Sequence, residues 1–262
     1  QNTARFEIWD GMRAIDYLQS RPEVDPKRIG CTGNSGGGTQ TSYLLALDDR
    51  IRAASPSCYI TSLPRLLETI GPQDAEQIIF GQLAFGLDHA DYLMLRAPTA
   101  VLVCAATKDF FDINGTWNSF RFAKRLFTRM GVAERIDIIE NCAGHNYDTT
   151  QREGVVRWLS RWLLGKDQPI VEPQIALLTK EECQCTPDGK VMAIPGARSV
   201  YDLNEDYEKS LAPKRKAAWA EGDLQARLGD VRRLAGIRKL SALPPLQEKS
   251  LGTIDRKTYR IE

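Results

Sequence analysis

The sequence predicts an α/β domain with a parallel sheet, followed by a segment of a different kind. Strand-like and helix-like segments alternate from residue 1 to residue 165, which is the pattern of this fold class. Residues 99–106 are apolar on both faces, as expected of a strand inside a parallel sheet. With 262 residues, of which 42% are hydrophobic and 26% charged, the composition is that of an ordinary folded chain.

The elements of this first part follow from their hydrophobic spacing and their stop signals. Residues 4–20 carry apolar side chains at helical spacing, and Pro22 ends the predicted helix. The remaining predicted elements are strands over residues 29–32, 52–58, 99–106 and 135–140, and helices over residues 39–47, 116–130 and 150–164. Residues 62–96 lack a clear period, so we expect an insertion of loops and short helices there. The last helix opens with the capping-box pattern Thr150-x-x-Glu153.

The composition changes after the last of these helices. Residues 166–201 are polar and interrupted by prolines, which predicts an extended linker. Residues 202–240 are charged and helical in pattern, with a break expected at Pro213. Residues 241–262 are expected to be a further linker and the start of another domain, because residues 257–262 have the character of a strand.

Charge and composition argue against several classes of function. The net charge is +1 and no part of the chain is strongly basic, so nucleic acid is not an expected partner. No apolar run reaches the length of about 18 residues that predicts a membrane span. The six cysteines form no CxxC pair and no Cys/His cluster with zinc spacing, so we expect no metal ion.

The beginning of the chain gives little information on its cellular location. Gln1 leads directly into a charged amphipathic stretch, and a signal peptide would instead begin with a basic segment followed by an apolar one. We therefore expect the chain to begin inside something longer or after a cleavage. No compartment is predicted.

The most informative motif is G-x-S-x-G over residues 33–37, with Ser35 at its centre. It lies between a predicted strand and a predicted helix, and its small residues allow a strained turn that exposes the serine hydroxyl above a sheet. The alternative is a glycine-rich phosphate loop. The chain has neither the Lys-Ser/Thr pair of a P-loop nor the G-x-G-x-x-G fingerprint, so we predict that Ser35 is a nucleophile.

A serine nucleophile needs a base, and the chain contains only His89 and His145. His145 directly follows a predicted strand, whereas His89 lies in the aperiodic insertion, so we predict His145 as the base. The base in turn needs a carboxylate to hold its tautomer. Asp109 is the favoured candidate because it lies closest to the end of the strongest strand, and Asp112 is the alternative. Asp112 also suits the N-cap of the next helix.

Several motifs together resemble the α/β-hydrolase fold, and more narrowly its bacterial acetylxylan-esterase-like and prolyl-oligopeptidase-like members. They are WDGMRAIDYL at residues 9–18, DPKRIG at 25–30, GNSGGGT at 33–39 and LDDRI at 47–51. The chain order Ser35, Asp109, His145 is also that of the α/β hydrolases. The resemblance covers residues 1–165 and implies a nucleophile, an acid and a base in that order. Glucuronoyl esterases carry a different serine motif, which this chain lacks.

The resemblance also implies that residues 1–165 are the C-terminal half of an α/β hydrolase. That fold has about eight strands with the serine strand near the middle, whereas here the serine strand comes first. The N-terminal strands would then be absent, together with the loop that donates the second N–H of the oxyanion hole. The first N–H would come from Gly36. We expect another polypeptide segment, most simply the upstream part of the same protein, to complete the sheet.

The function implied by the resemblance is that of a serine carboxylesterase. It would hydrolyse small acyl esters, above all acetyl esters on polysaccharides, so that its expected partner is a small ester or an acetylated carbohydrate. No cofactor is expected, because the triad supplies the base and the nucleophile. Two alternatives remain open. One is a serine peptidase of the prolyl-oligopeptidase type with the same triad, and the other is a non-catalytic binding or structural fragment of a larger protein.

Overall fold

Four parallel strands form one sheet in the order β1-β2-β3-β4. We describe residues 2–245 of a computed structural model of the chain. The strands are β1 (Ile29–Asn34), β2 (Ile51–Ser57), β3 (Ala100–Ala106) and β4 (Ile136–Asn141). The predicted α/β class with a parallel sheet is confirmed, and every pair of neighbouring strands in this sheet is parallel.

Seven α-helices accompany the sheet in the first part of the described chain. They are α1 (Thr3–Ser20), α2 (Gly36–Leu47), α3 (Leu63–Thr69), α4 (Gln82–Phe85), α5 (His89–Met94), α6 (Ile113–Arg129) and α7 (Thr149–Leu164). The predicted strands and helices of this part are all present, with ends shifted by a few residues. The aperiodic insertion contains the three short helices α3, α4 and α5, as expected.

Helices cover both faces of the sheet. Along β3, Val101 and Val103 pack into a core formed with α1, α2, α5 and α6. The intervening Leu102 and Cys104 pack into a second core with α7, where Trp158 is buried. Because successive residues of a strand point to opposite faces, a strand buried on both sides must be apolar throughout. This is why residues 99–106 carry the strongest strand signal in the sequence.

Helix α6 shows how its sequence sets its limits. Phe120, Ala123 and Phe127 recur at helical spacing and are buried against the sheet. Met130 is exposed because it is the C-cap of the helix. Gly131 follows with a φ of 74°, the left-handed conformation that ends a helix and favours glycine.

The cap expected for α7 is wrong. The N-cap is Asp148, whose side chain accepts a hydrogen bond from the backbone N–H of Gln151. The helix therefore begins one residue before Thr150, and Thr150 is not its cap. Glu153 instead accepts a hydrogen bond from the backbone N–H of Glu172 at 2.8 Å, which ties the chain after α7 to the helix surface.

A second compact unit begins at Tyr201. Its described part contains α8 (Val200–Glu221) and α9 (Leu224–Leu234), neither of which contains a buried residue. The expected break at Pro213 is wrong, because α8 continues through this residue. A proline inside a helix costs about 3 kcal/mol, and good helix formers on both sides of it offset this cost. The predicted strand at residues 257–262 lies outside the described residues.

The described residues between α7 and α8 form an irregular connection, with no strand and no α-helix. In residues 2–245, no helix combines the length and the apolar character needed to cross a membrane. All six cysteines are free thiols. Cys104 is buried, and Cys31 is half-buried.

Strand β1 lies at an edge of the described sheet. It pairs with β2 from Ile29 to Asn34, and within residues 2–245 no strand pairs with its other side.

Because the four strands are parallel, their carboxyl ends all lie at the same end of the sheet. The loops after β1, β2, β3 and β4 therefore converge, and three of these loops carry the predicted site residues.

Candidate active site

Ser35 lies in a sharp turn between β1 and α2. Its φ of 58° and ψ of −120° are unusual for a residue other than glycine, and such a conformation costs roughly 1–3 kcal/mol. The turn is held by the Ser35 N–H, which donates to the backbone oxygen of Ser57 at 3.0 Å. Gly33 permits the turn, because a Cβ at this position would lie 2.6 Å from the backbone of Gly37. This is the strained strand-to-helix turn that the motif predicts, and Ser35 is half-buried within it.

Asp109 and His145 are in direct contact. His145 Nδ1 lies 2.9 Å from Asp109 Oδ1 and 3.0 Å from Oδ2. The Asp109 side chain is only 2% exposed, whereas the His145 side chain is 23% exposed. Asp109 Oδ1 also accepts the backbone N–H of Phe111 at 3.1 Å, which fixes the carboxylate. A carboxylate at Nδ1 leaves Nε2 free to accept a proton.

The His145 ring is also oriented by aromatic packing. Its centroid lies 4.3 Å from that of Phe110, with an angle of 30° between the two planes. The ring of Phe111 lies on the same imidazole at 5.9 Å. Together with Asp109, these contacts restrict the rotation of a side chain that stands in a loop after β4.

Asp112 occupies a different position from its rival Asp109. Its carboxylate receives two hydrogen bonds from the guanidinium of Arg65, at 3.0 and 2.9 Å. It also caps α6 by accepting the backbone N–H of Gly115 at 2.9 Å. The hydrogen bonds from Arg65 are the main reason that the pKa of Asp112 is lowered. The structure thus brings Asp109, and not Asp112, to His145.

His89 lies in the core and has no exposed surface. Its Nδ1 accepts the backbone N–H of Thr61 at 3.0 Å, and its ring stacks on Tyr59 with centroids 4.7 Å apart. Nδ1 is therefore unprotonated, and the proton resides on Nε2. Burial lowers the pKa of His89 to about 4, so this side chain is neutral at physiological pH.

The remaining predicted groups lie at the start of α2. Gly36 is the first residue of that helix, so its N–H belongs to the first turn, where no intrahelical acceptor exists. Glu76 of the insertion lies nearby, with its Oε1 3.9 Å from the position that a Cβ on Gly36 would take. Within residues 2–245, no hydrogen bond joins Ser35 to His145. Such a bond between nucleophile and base often tightens only when substrate binds.

The structure adds Cys58, which sequence reasoning did not connect with the site. It directly follows β2, has a φ of 47° and is 2% exposed. Its Sγ donates to the backbone oxygen of Asn146 at 3.3 Å. Burial is the main reason that the pKa of its thiol is raised, and the neighbouring Asp109 carboxylate also raises it. The sulfur of Cys58, a carboxylate oxygen of Asp109 and a ring nitrogen of His145 all lie within 4.8 Å of one another.

A second missed residue is Gln151, which is fully buried in the first turn of α7. Its Nε2 donates to Asn141 Oδ1 at 2.9 Å and to Cys58 Sγ at 3.6 Å, and its Oε1 accepts from the Ser57 hydroxyl. The Ser57 hydroxyl also lies 3.0 Å from Oδ1 of Asn34, the residue before the serine turn. A lone glutamine without a motif gives no signal in the sequence. Only the fold shows that it joins the ends of β1, β2 and β4.

Comparisons with known proteins show which sequences this chain is similar to. A model of the prolyl oligopeptidase family matches residues 1–166. A curated protein of Bacillus subtilis (strain 168), described as "Putative hydrolase YtaP", is 29% identical over 161 residues, which are 60% of this chain and 53% of that protein.

Solved structures are also similar to this chain, among them two glucuronoyl esterases. A glucuronoyl esterase of carbohydrate esterase family 15 from Caldicellulosiruptor kristjansonii has a TM-score of 0.53 at 19% identity. The match covers 65% of this chain and 53% of the esterase chain. The catalytic domain of a glucuronoyl esterase from Hypocrea jecorina has a TM-score of 0.52 at 18% identity. The match covers 67% of this chain and 56% of the esterase chain. At these identities the similarity shows the α/β-hydrolase fold and no more. The chain spans about half the length of these relatives.

Proposed function

Because the chain belongs to the prolyl oligopeptidase family, we propose that it carries the catalytic triad of a serine hydrolase. In this proposal Ser35 is the nucleophile, His145 the base and Asp109 the acid. The observation that carries it is the contact of both Asp109 oxygens with His145 Nδ1. This contact lies at the carboxyl ends of the strands, where the strained Ser35 turn also lies. The fold and the family make a hydrolase the expected class.

The proposed reaction is acyl transfer to Ser35 followed by hydrolysis. The Ser35 hydroxyl attacks the carbonyl carbon while His145 Nε2 takes its proton, and the same nitrogen then gives that proton to the leaving alcohol. Asp109 keeps the proton of His145 on Nδ1 and stabilises the imidazolium. The Gly36 N–H donates to the oxygen that becomes negative in the tetrahedral intermediate. Water then releases the acid by the reverse proton transfers.

We propose a small acyl ester, above all an acetyl ester, as the substrate of this site. Specificity would reside in residues 62–96, and the position of Glu76 beside Gly36 supports this assignment. The insertion also forms an apolar groove with a volume of about 390 Å³, lined by side chains that include Leu66, Phe80 and Leu83. The Glu76 carboxylate beside Gly36 and the apolar side chains of the insertion both favour an uncharged acyl group.

The family match also supports a second candidate, a serine peptidase with the same triad. An ester and a peptide amide differ in their leaving group, so the two activities are separated by direct comparison. The test measures kcat/KM of the full-length protein on an acetyl ester and on a prolyl amide with the same chromophore. A higher value for the ester is expected. A preference for the amide would move the function to the peptidase.

Reaction with a fluorophosphonate tests the proposal that the site is catalytic at all. This reagent phosphonylates an activated serine and does not depend on the identity of the substrate. We expect stoichiometric labelling, with Ser35 as the modified residue by mass spectrometry of the digested protein. Absence of labelling in folded full-length protein would favour a non-catalytic binding or structural role.

We also propose that another polypeptide segment pairs with the outer edge of β1. This edge has no strand partner in the described residues, and an unpaired strand edge leaves backbone donors and acceptors unsatisfied wherever water is excluded. The segment would place the serine strand inside the sheet and would supply the second N–H of the oxyanion hole. Gly36 supplies only one donor, and two are usual in acyl transfer.

A further inference from the structure

Three side chains with metal-binding atoms converge from three loops at the carboxyl ends of the strands. Cys58 follows β2, Asp109 follows β3 and His145 follows β4. One ligand atom from each lies within 4.8 Å of the other two. Two of these residues belong to the proposed triad, and Cys58 has no role in the proposed reaction. The sequence predicted no metal ion, since residues so far apart in the chain form no spacing pattern.

The chemistry of this donor set matches one group of cations. Thiolate sulfur, imidazole nitrogen and carboxylate oxygen are the ligands that Zn²⁺ prefers in proteins, often three from the protein with water as the fourth. We propose that Zn²⁺ binds to Cys58, Asp109 and His145 and thereby reversibly inhibits the hydrolase. The inhibitory part of this inference rests on the proposed function, whereas the binding part rests on the geometry alone.

Formation of the site requires the ligand atoms, which now lie within 4.8 Å of one another, to adjust their separations. Zn²⁺ binds sulfur at about 2.3 Å and nitrogen or oxygen at about 2.0–2.2 Å, so ligand atoms of a tetrahedral site lie about 3.3–3.7 Å apart. The separation of His145 Nδ1 and Asp109 Oδ1 is now 2.9 Å. The buried Asp109 and Cys58 are held by hydrogen bonds from and to the backbone. The more exposed His145 ring is therefore the ligand that moves.

Binding of the cation changes the protonation of two ligands. The Cys58 thiol gives up its proton to solvent and binds as a thiolate. His145 binds through Nδ1, so the proton of the neutral imidazole then resides on Nε2. One proton is released for each cation bound, and no covalent bond of Ser35 changes. Because Nε2 now carries a proton, it cannot take the proton of Ser35, and Asp109 no longer orients the ring.

The binding arm of the test uses full-length protein in which Cys183 and Cys185, two exposed thiols close in sequence, are changed to serine. In this background, Co²⁺ reports a thiolate ligand through a charge-transfer band, and competition with a chromophoric chelator gives the affinity for Zn²⁺. We expect one equivalent of cation, with Cys58→Ser and Cys58→Ala both weakening Zn²⁺ binding by about tenfold or more and removing the Co²⁺ band. Cys58→Ser keeps the size of the side chain, and thermal unfolding shows whether each variant is folded.

Cys142→Ser is the matched control, because this exposed thiol lies in the same loop as His145. It should bind the cation like the parent protein. Unchanged binding in folded Cys58→Ser would overturn the site. So would a result in which Cys142→Ser loses binding while the Cys58 variants keep it.

The inhibition arm measures the rate of fluorophosphonate labelling of Ser35. One equivalent of Zn²⁺ should slow labelling of the parent by about tenfold or more, and a chelator should restore the rate, because the base is blocked only while Nδ1 is bound. The labelling rate of Cys58→Ala should be the same with and without one equivalent of Zn²⁺. Metal binding without slower labelling would overturn the inhibition. If Ser35 is not labelled even without metal, the proposed hydrolase fails, and the binding arm still decides the site.

Discussion

Both carboxylate oxygens of Asp109 lie within 3.0 Å of His145 Nδ1, although 36 residues separate the two in the chain. This contact exists because β3 and β4 are adjacent parallel strands, paired from Val101 with Ile136 to Ala106 with Asn141. Each residue stands in the loop that follows its strand. The fold therefore positions the proposed acid and the proposed base before any substrate is bound, which is the arrangement that a preorganised proton transfer requires.

The first prediction concerns the nucleophile. Ser35→Ala should abolish fluorophosphonate labelling and lower ester turnover by roughly 10⁴-fold or more. Its melting temperature should stay close to that of the parent, because the Ser35 hydroxyl makes no hydrogen bond to another side chain or backbone group within residues 2–245. Ser62→Ala, at a serine that caps α3 without a side-chain hydrogen bond to it, is the matched control and should keep full labelling. Substantial turnover by a folded Ser35→Ala protein would contradict the assignment of Ser35 as the nucleophile.

The second prediction separates the two aspartates. Asp109→Asn should lower kcat by up to about 10⁴-fold, because an amide favours the wrong tautomer of His145. Asp112→Asn should leave kcat nearly unchanged and lower the stability by about 1 kcal/mol, since it loses the charge of a partly exposed pair with Arg65 and keeps a good N-cap. Kinetics and urea unfolding of both variants give the answer, and the opposite ranking would make Asp112 the acid.

The third prediction uses the buried His89. Its pKa of about 4 in the folded state lies below the ordinary value of 6.5, so between these values the unfolded chain binds the proton and the folded chain does not. The stability contributed by this group is present above pH 6.5 and decreases as the pH falls towards 4, by about 3 kcal/mol in total. Urea unfolding across this range measures the effect.

His89→Gln is the control for this pH dependence. Glutamine keeps an acceptor for the Thr61 N–H but does not titrate, so the variant should lose most of the decrease between pH 6.5 and 4. Its kcat at neutral pH should remain nearly unchanged, because His89 is not the base. An unaltered pH dependence would show that other groups cause it, and a collapse of activity would contradict the assignment of His145.

The fourth prediction concerns the open edge of β1. Residues 1–262 expressed alone should unfold without a sharp transition, and fluorophosphonate should label them incompletely, since within residues 2–245 the strand that leads to Ser35 has no strand neighbour on one side. Adding the proposed segment in trans or in the same chain should restore both the sharp transition and the labelling. A cooperative melt with full labelling, in a sample that is monomeric by sedimentation, would show that no further segment is needed.

The fifth prediction tests the role of Glu76 in substrate choice. Its carboxylate lies beside the Gly36 turn, so it should repel an acyl group that carries a negative charge. Glu76→Gln should raise kcat/KM for an anionic ester by roughly tenfold relative to an uncharged ester of the same leaving group. Glu68→Gln, on the same insertion but paired with Arg65, serves as the control. Equal effects of both variants would remove Glu76 from the specificity site.

The sequence predicted the sheet and its helices because hydrophobic period and burial are local properties. It also predicted which histidine and which aspartate meet, since residues that follow adjacent parallel strands must lie close together. Their catalytic roles stay predictions. Cys58 and Gln151 were missed for a physical reason: each acts through partners far away in the chain, and neither residue type carries a motif. The caps of α7 and the course of α8 through Pro213 depend on single-residue choices that a pattern does not resolve.

The buried contacts of Gln151 also set an order of events during synthesis. This residue, in the first turn of α7, joins Ser57 and Cys58 at the end of β2 to Asn141 at the end of β4. Helix α7 is the last element of the sheet domain to leave the ribosome. The serine turn and the histidine loop are therefore bridged only after residues up to Leu164 have emerged and docked. A shorter nascent chain already contains Ser35, Asp109 and His145 but still lacks the contacts of Gln151 that join the ends of these strands.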